Sequence, residues 1–195
     1  ILHNNKIIGF HKFNFNKKSD FLHVISEGEF KVTKIGLEIM NYQTRTEEKY
    51  KNNQLVSYNS KTLQNDKTKY VNLKLNNTTL VYEINGSSFT GNVENKESII
   101  GSWWNHEIIK KNKQISAISG RILPQKVIFL GKKKININGS EYMALHFHFI
   151  SDNDKPLDKK KLNIHVWYDE KTLLWLKSSY DKIGNWEYRL KKVQY

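Results

Sequence analysis

Alternation of apolar and polar residues with a period of two is the feature that most constrains this chain. Val71, Leu73 and Leu75 alternate with Asn72 and Lys74, so their side chains fall on one face of an extended segment. The same alternation recurs at residues 11–15, 143–149, 162–168 and 186–190. Clusters of Asn, Gly, Asp and Lys separate these runs at short intervals, which is typical of antiparallel strands and not of βαβ units.

Two dipeptides, Asn85-Gly86 and Asn138-Gly139, predict tight hairpin turns because both residue types tolerate positive φ angles. Residues 34–50 form one long strand or two strands joined by a bend. Helical patterning is confined to residues 102–111, where Ser102 suits an N-cap. Long strands with one apolar face and one polar-aromatic face suit a curved sheet. We therefore predict an all-β fold, in which a single strongly curved antiparallel sheet forms a barrel or half-barrel with little helix.

The bulk composition sets the class of protein. A length of 195 residues and a hydrophobic content of 38% suit one β-barrel-like domain spanning residues 1–195. The absence of cysteine excludes disulfides and cysteine chemistry. No apolar run is long enough to predict a transmembrane helix. The chain begins at Ile1 and not at Met, which favours an exported form whose signal peptide has been removed.

The net charge of +13 has two interpretations. A basic surface could bind a polyanion such as anionic lipid or polysaccharide. Alternatively, the many Lys, Asn and Ile residues reflect genome composition, and the lysines form an ordinary solvated surface. Only Arg45, Arg121 and Arg189 carry the guanidinium that phosphate and carboxylate recognition prefers. Nucleic acid is not expected as a partner, because no recognised nucleic-acid-binding pattern is present.

The familiar catalytic and nucleotide motifs are absent. The sequence has no nucleophile elbow, Walker loop, dinucleotide fingerprint or His-Glu-x-x-His motif. A hydrolase or kinase of a standard class is therefore not expected, and neither is a cofactor.

His146 and His148 are two residues apart on a predicted strand, which places both imidazoles on one face. Barrel metalloproteins present two ligands in this way, and His165 or Asp169 could supply a third. Asp152 is the carboxylate nearest to the position that a cupin-like motif requires. The alternative is that the two histidines are solvent-facing partners of an apolar core face. We favour that alternative and expect no metal.

Tryptophans mark two further segments. Trp103, Trp104 and Asn105 either line a ligand cavity, with Asn105 donating or accepting an orienting hydrogen bond, or plug one end of the sheet. In the second segment Trp167 and Tyr168 have opposite parity, so they face opposite sides of their strand. Aromatic residues on both faces indicate either a cleft or a core built from cross-strand aromatic pairs.

An ordered set of short motifs extends over nearly the whole chain. The motifs are Ile8-Gly9-Phe10-His11, the strand at residues 28–36, Tyr42, Gln54-Leu55-Val56-Ser57, Ser102-Trp103-Trp104-Asn105, Val166-Trp167-Tyr168-Asp169 and Trp186-Glu187-Tyr188-Arg189-Leu190. Together they resemble an uncharacterised exported family of Gram-negative bacteria, numbered 6134 among domains of unknown function. The chain departs from that family at Asn53-Gln54, where a glycine is expected.

The resemblance implies a removed signal peptide, a periplasmic location and an all-β fold with a curved sheet. It implies no activity, and His146 and His148 match none of its motifs. We therefore expect a periplasmic binding or carrier module that holds an apolar or amphipathic small ligand in a concave sheet. The expected ligand-binding residues are His11, Tyr42, Trp103, Trp104, Asn105, Trp167 and Tyr168.

Two other functions stay open at this point. The first is a cofactor-independent isomerase, cyclase or lyase, in which His11, Asn105 and Asp169 are the polar groups and His11 is the acid or base. The second is an envelope interaction protein that docks on anionic lipid or polysaccharide through its lysines.

Overall fold

A computed structural model describes residues 1–152 and 161–194. Strands make up 69% of the protein, and helix is almost absent. In chain order the strands are β1 (Leu2–His3), β2 (Lys6–Ile7), β3 (Gly9–Lys18), β4 (Phe21–Lys34), β5 (Leu37–Lys51), β6 (Gln54–Gln64), β7 (Lys67–Asn76), β8 (Val81–Gly86), β9 (Phe89–Glu94), β10 (Ser98–Ile100), β11 (Lys113–Ile115), β12 (Ile122–Ile137), β13 (Ser140–Ser151), β14 (Asn163–Asp169), β15 (Trp175–Asp181) and β16 (Asn185–Arg189). The described residues include no helix long and apolar enough to cross a membrane.

The strands form two sheets, so the prediction of a single sheet is wrong. Strands β3 to β9 form a seven-stranded sheet in sequence order. The other sheet has nine strands in the order β10-β11-β12-β13-β14-β15-β16-β1-β2. Neither sheet closes into a barrel or curls strongly, which corrects the expected barrel or half-barrel. The all-β class with little helix is confirmed.

The chain divides into two compact units that interleave in sequence. Unit 1 comprises residues 1–7, 99–114 and 123–195, and unit 2 comprises residues 8–98 and 115–122. The backbone therefore passes from one unit to the other four times. Whether residues 1–195 unfold as one domain stays a prediction, which calorimetry would test as a single transition.

Unit 2 is an antiparallel meander whose interior face mixes aromatic and hydroxyl side chains. Along β4, β5 and β6 the register aligns Ser26 with Thr46 and Ser60. The next row along the same face aligns Val24 with Glu48 and Tyr58. All six side chains are buried. The buried face of this unit therefore combines apolar, aromatic and polar side chains.

Two glycines in unit 2 are required by close backbone approach. A Cβ atom at Gly9 would lie 1.9 Å from the carbonyl oxygen of Glu29 on β4. A Cβ atom at Gly86 would lie 2.7 Å from the carbonyl oxygen of Ser119. Gly86 is consequently the last residue of β8, and the hairpin turn is formed by Ser87 and Ser88. The prediction of a turn at Asn85-Gly86 is therefore wrong by two residues, whereas the turn at Asn138-Gly139 is confirmed.

Unit 1 has an apolar core on one face of β13 and β14. Phe149, Val166 and Tyr168 are fully buried there with Ile108. Ile108 belongs to the short 3-10 helix His106–Lys110, which confirms the predicted turn or helix but places its N-cap at Asn105. The buried Gln125 holds this helix, because its Nε2 donates to the carbonyl oxygens of Ile108 and Lys111 at 3.0 and 2.7 Å.

Candidate functional site

The antiparallel register of β13 and β14 places four rings on the face opposite the apolar core of unit 1. His148 is paired with His165, and His146 is paired with Trp167. The core side chains Phe147 and Val166 alternate with them and point to the other face. We call the four rings, His146, His148, His165 and Trp167, the ring row.

Successive members of the ring row are in direct contact. The imidazoles of His148 and His165 stack in parallel, with centroids 4.2 Å apart and planes 7° apart. His146 Nε2 lies 2.9 Å from His165 Nδ1. His146 then stacks on the indole of Trp167 at 4.2 Å and 12°. Every ring of the row therefore contacts at least one other, and the row forms a continuous half-buried surface.

Charged side chains from β15 and β16 complete one end of the ring row. Lys177 lies directly across from Trp167 in the register, and its Nζ lies 5.1 Å from the indole centroid. Glu187 forms an ion pair with Lys177, whose Nζ lies 2.7 Å from Glu187 Oε2, and a second ion pair with Arg189. Glu187 is almost fully buried, so it fixes the position of both cations. Two cations and one carboxylate leave this end of the row positively charged.

Two histidines of the row, His146 and His165, favour their neutral forms. Burial, together with the neighbouring His165, Lys133, His148 and Lys177, lowers the pKa of His146 to about 4. Burial also lowers the pKa of His165, with His148 adding to the effect. At neutral pH His146 and His165 are therefore uncharged beside the Lys177 ammonium.

The ring row contains an unsatisfied donor. The indole Nε1 of Trp167 is buried and has no hydrogen-bond partner among the described residues. A buried N–H without an acceptor costs about 1–3 kcal/mol. The unsatisfied N–H of Trp167 therefore offsets part of the stabilisation that the stacking of the row provides.

The metal hypothesis for His146 and His148 is not supported by their geometry. His148 Nε2 is 2.7 Å from Asn163 Oδ1, and its ring lies parallel to that of His165. Two parallel stacked imidazoles cannot both direct an in-plane lone pair at one ion midway along the row. Within residues 1–152 and 161–194 no group of three or more His, Asp or Glu residues is arranged to hold a metal ion.

Trp103 and Tyr168, two of the predicted ligand-binding residues, lie in the apolar core of unit 1. Tyr168 is fully buried, and its hydroxyl donates to the carbonyl oxygen of Trp103 at 2.9 Å. The indole of Trp103 packs edge-on against Phe149, with centroids 5.2 Å apart. Tyr168 and Trp167 therefore serve opposite faces of β14, as their parity predicts.

Trp104 and Asn105 follow directly in the chain. Trp104 is half-buried. The side chain of Asn105 accepts a hydrogen bond from the backbone N–H of Glu107 at 3.1 Å and caps the 3-10 helix. That role in local structure occupies the side-chain oxygen that was expected to orient a ligand.

His11 and Tyr42, the other two predicted ligand-binding residues, belong to unit 2. His11 Nε2 lies 3.2 Å from Ser26 Oγ, which is 2.7 Å from Thr46 Oγ1. Tyr42 stacks on Phe30 at 4.7 Å. Burial lowers the pKa of His11 to about 4 and raises the pKa of Tyr42. These groups are therefore uncharged at neutral pH and form part of the hydroxyl-rich interior face.

Asp169, the remaining polar residue of the enzyme hypothesis, stabilises a turn. Its Oδ2 accepts hydrogen bonds from the backbone N–H of Thr172 at 2.9 Å, from the Thr172 hydroxyl at 2.7 Å and from Lys171 N at 3.2 Å. Asn105 likewise caps a helix, and His11 lies in the other unit. The enzyme hypothesis therefore gains no support from these residues.

Two open clefts lie on the surface of the described residues, each within one unit. One measures about 440 Å³ and lies at the β6–β7 turn. The other measures about 460 Å³ and lies beside the 3-10 helix. None of the seven predicted ligand-binding residues lines either cleft.

Lys177 and Glu187 were not identified from the sequence as site residues. The three histidines were considered as metal ligands, with His146 and His148 alternatively interpreted as solvent-facing partners of an apolar core face. A signal was present, because His146 and His148 repeat the spacing of His165 and Trp167. Two strands with the same spacing of rings produce a stacked row once they pair. The pairing register itself cannot be read from either strand alone.

The comparisons with known proteins identify one family. No curated protein and no solved structure matches the chain. The family model of the domain of unknown function DUF6134 matches residues 1–191, which include the ring row and both sheets. The resemblance found in the ordered motifs is thereby confirmed, and the chain belongs to the DUF6134 family.

Proposed function

We propose that this protein is a binding module whose ligand lies on the ring row. The ligand is a small amphipathic molecule with a flat apolar part and a negatively charged group. The observation that carries the proposal is the continuous contact of His148, His165, His146 and Trp167 beside Lys177.

The physical argument rests on pre-organisation. Stacking holds each ring of the row in place, so a ligand does not have to order flexible side chains when it binds. The flat part of the ligand stacks on Trp167 or on an imidazole, as aromatic surfaces favour. Its anionic group pairs with Lys177, which Glu187 already positions.

Anilinonaphthalene sulfonate is a suitable probe, because it combines a flat apolar ring system with one negative charge. We expect it to bind the wild-type protein with quenching of tryptophan fluorescence. Trp167→Ala removes the stacking surface and Lys177→Gln removes the cation, so each should weaken binding by about tenfold. Native mass spectrometry of the purified protein would identify a natural ligand that copurifies.

Tyr70→Ala is the matched control. Tyr70 is an exposed aromatic residue on β7 in unit 2, with 41% of its surface exposed. Its removal tests whether any exposed ring binds the probe. Equal binding by wild type and Trp167→Ala, or equal losses in Trp167→Ala and Tyr70→Ala, would refute the ring row as the site.

We further propose that the module acts as a carrier in the periplasm, the location that the family resemblance implies. A carrier of amphipathic molecules needs a binding surface that releases its ligand, and a half-buried row suits that better than a closed cavity. Cell fractionation of the full-length gene product tests the location. Its recovery with the cytoplasmic fraction would contradict the periplasmic proposal and leave the ring row proposal intact.

A further inference from the structure

The β4–β5 hairpin of unit 2 extends beyond its neighbours in the sheet. Pairing of β3 with β4 ends at Gly9 and Phe30, and pairing of β5 with β6 ends at Tyr42 and Gln64. Beyond these pairs β4 and β5 continue to pair only with each other as far as Lys34 and Leu37. Within residues 1–152 and 161–194, the end of the hairpin is therefore a two-stranded ribbon with no further strand paired beside it.

The end of this ribbon is apolar and exposed. Ile35 is 92% exposed, Leu37 is 70% exposed and Ile39 is 47% exposed. We call residues 34–39 the hairpin tip. Single exposed apolar residues are common on protein surfaces, but three within five positions at the end of a projecting ribbon form a patch that water solvates poorly.

The turn also keeps isoleucine in an unfavourable conformation. Ile35 has a φ angle of +52° and Gly36 has a φ angle of +74°. Asn or Gly is preferred in this left-handed region, which a β-branched residue rarely adopts. The Asn52-Asn53 turn of unit 2 uses that preference, whereas Leu80 departs from it as Ile35 does. The isoleucine therefore serves neither the turn nor the core.

Lysines lie on the ribbon and near its base. Lys31 and Lys34 lie on the ribbon, where Glu38 pairs with Lys31 at 3.7 Å. The β6–β7 turn lies against the base of the ribbon, because Asn65 Oδ1 accepts a hydrogen bond from Asn41 N at 2.9 Å. Asp66 follows Asn65 in that turn, and Lys67 and Lys69 lie at the start of β7. The four lysines outnumber the two carboxylates Glu38 and Asp66, and we call these lysines the lysine collar.

We propose that the hairpin tip docks this protein on the surface of a bilayer that contains anionic lipid. Ile35, Leu37 and Ile39 enter the boundary between headgroups and acyl chains, and the lysine collar pairs with the headgroups. Short apolar segments beside basic residues bind membrane surfaces in this way. The function is independent of the ring row, which lies in unit 1.

A lipid surface fits the tip better than a protein partner does. A stable protein interface buries about 800 Å² on each partner, contributed by about 20–30 residues. The hairpin tip has six residues, and a narrow ribbon offers no flat area around them. A bilayer needs no complementary shape, and its negative charge matches the collar.

Vesicle flotation tests the proposal with the full chain. Wild-type protein should float with vesicles made of equal parts of phosphatidylglycerol and phosphatidylcholine, and much less with pure phosphatidylcholine. The double variant Ile35→Asn, Leu37→Ser should lower the partition coefficient by about tenfold. Asn suits the left-handed position at residue 35, so this variant should fold at least as well as the wild type. Lys34→Gln should weaken binding to the anionic vesicles alone.

The chain supplies a matched control at a second Lys-Ile-Gly turn. Ile183 has a φ angle of +52° and is 86% exposed, but Asp181, Lys182, Gly184 and Asn185 around it are not apolar. Ile183→Asn makes the same chemical change in the same type of turn and should float like the wild type. Failure of the wild type to float with anionic vesicles overturns the proposal. So does equal flotation of the wild type and the double tip variant.

Discussion

His146 Nε2 lies 2.9 Å from His165 Nδ1, and this contact joins the two stacked halves of the ring row. One imidazole must donate its N–H and the other must accept it, so the contact requires an acceptor nitrogen that carries no proton. Burial and the neighbouring cations act in the same direction, because both lower the pKa of His146. The geometry of this contact and the electrostatics around it therefore agree that His146 is uncharged at neutral pH.

We predict that His146 stays neutral down to a pH of about 4. Nitrogen chemical shifts of the histidine side chains, followed by NMR during an acid titration, measure this pKa. Replacement of His165 by Gln removes a group whose protonation opposes that of His146, so the pKa of His146 should rise toward its ordinary value while burial still holds it below. A midpoint of His146 near 6.5 in the wild-type protein would contradict the structure.

Protonation of His11 should couple folding to pH. Burial lowers its pKa from 6.5 to about 4 in the folded protein, so only the unfolded chain binds the proton between these values. The contribution of His11 to the free energy of unfolding is fully present above pH 6.5. It decreases by about 2 to 3 kcal/mol as the pH drops from 6.5 to 4.

Urea unfolding at several pH values, compared between the wild type and His11→Gln, isolates this contribution. His146 and His165 add a similar slope to both proteins, so the difference belongs to His11. The variant also loses the contact with Ser26, which lowers its stability at every pH without changing the slope. Parallel curves for the two proteins would show that His11 titrates normally in the folded state.

Gly9→Ala should be strongly destabilising. The added methyl group would lie 1.9 Å from the carbonyl oxygen of Glu29 and 2.6 Å from the Cα atom of Phe30, so two paired strands would have to separate. We expect a loss of about 3 kcal/mol in unfolding free energy. Gly139→Ala is the control, because nothing lies within 4 Å of its Cβ position and only its positive φ angle opposes the change, at about 1 kcal/mol. Equal losses in the two variants would mean that β3 and β4 do not approach as described.

Two hydroxyl groups in unit 2 share one acceptor, and their removal should not be additive. Tyr58 OH and Ser60 Oγ each donate to the carbonyl oxygen of Ala117 at 2.8 Å. Tyr58→Phe and Ser60→Ala should each cost about 1 kcal/mol, since the other hydroxyl still satisfies the carbonyl. The double variant should cost more than the sum, because both donors to that carbonyl are then gone. A double-mutant cycle by urea unfolding measures the coupling, and strict additivity would exclude a shared acceptor.

The face of each ring could be predicted from the sequence, but the ring row could not. Parity alone places His165 and Trp167 opposite Tyr168, and the register of β14 confirms it. The stacking needs β13 to lie beside β14 with His146 across from Trp167, and it needs Lys177 from β15. These are contacts between residues far apart in the sequence, which periodicity within one strand does not specify.

Glycine after asparagine has two structural roles in this chain, and the sequence alone does not distinguish them. Gly139 follows Asn138 at positive φ angles in a tight turn, as the dipeptide predicts. Gly86 also follows an asparagine, yet it lies in a strand. A glycine is required there because the backbone at Ser119 passes too close for a Cβ atom. Likewise, the membership of β1 and β2 in the nine-stranded sheet depends on the pairing of Leu2 with Glu187, which no local sequence pattern predicts.

The pairing of β1 with β16 bears on how the protein is made on the ribosome. All of unit 2 has been synthesised by residue 122, whereas β1, which pairs with β2 on one edge, lacks its other neighbour until residues 185–189 leave the exit tunnel. Until then one edge of β1 stays unpaired, although every strand of unit 2 has already been made. A translation arrest between residues 122 and 185 would leave that edge of β1 open to foreign strands, so this interval carries a risk of aggregation.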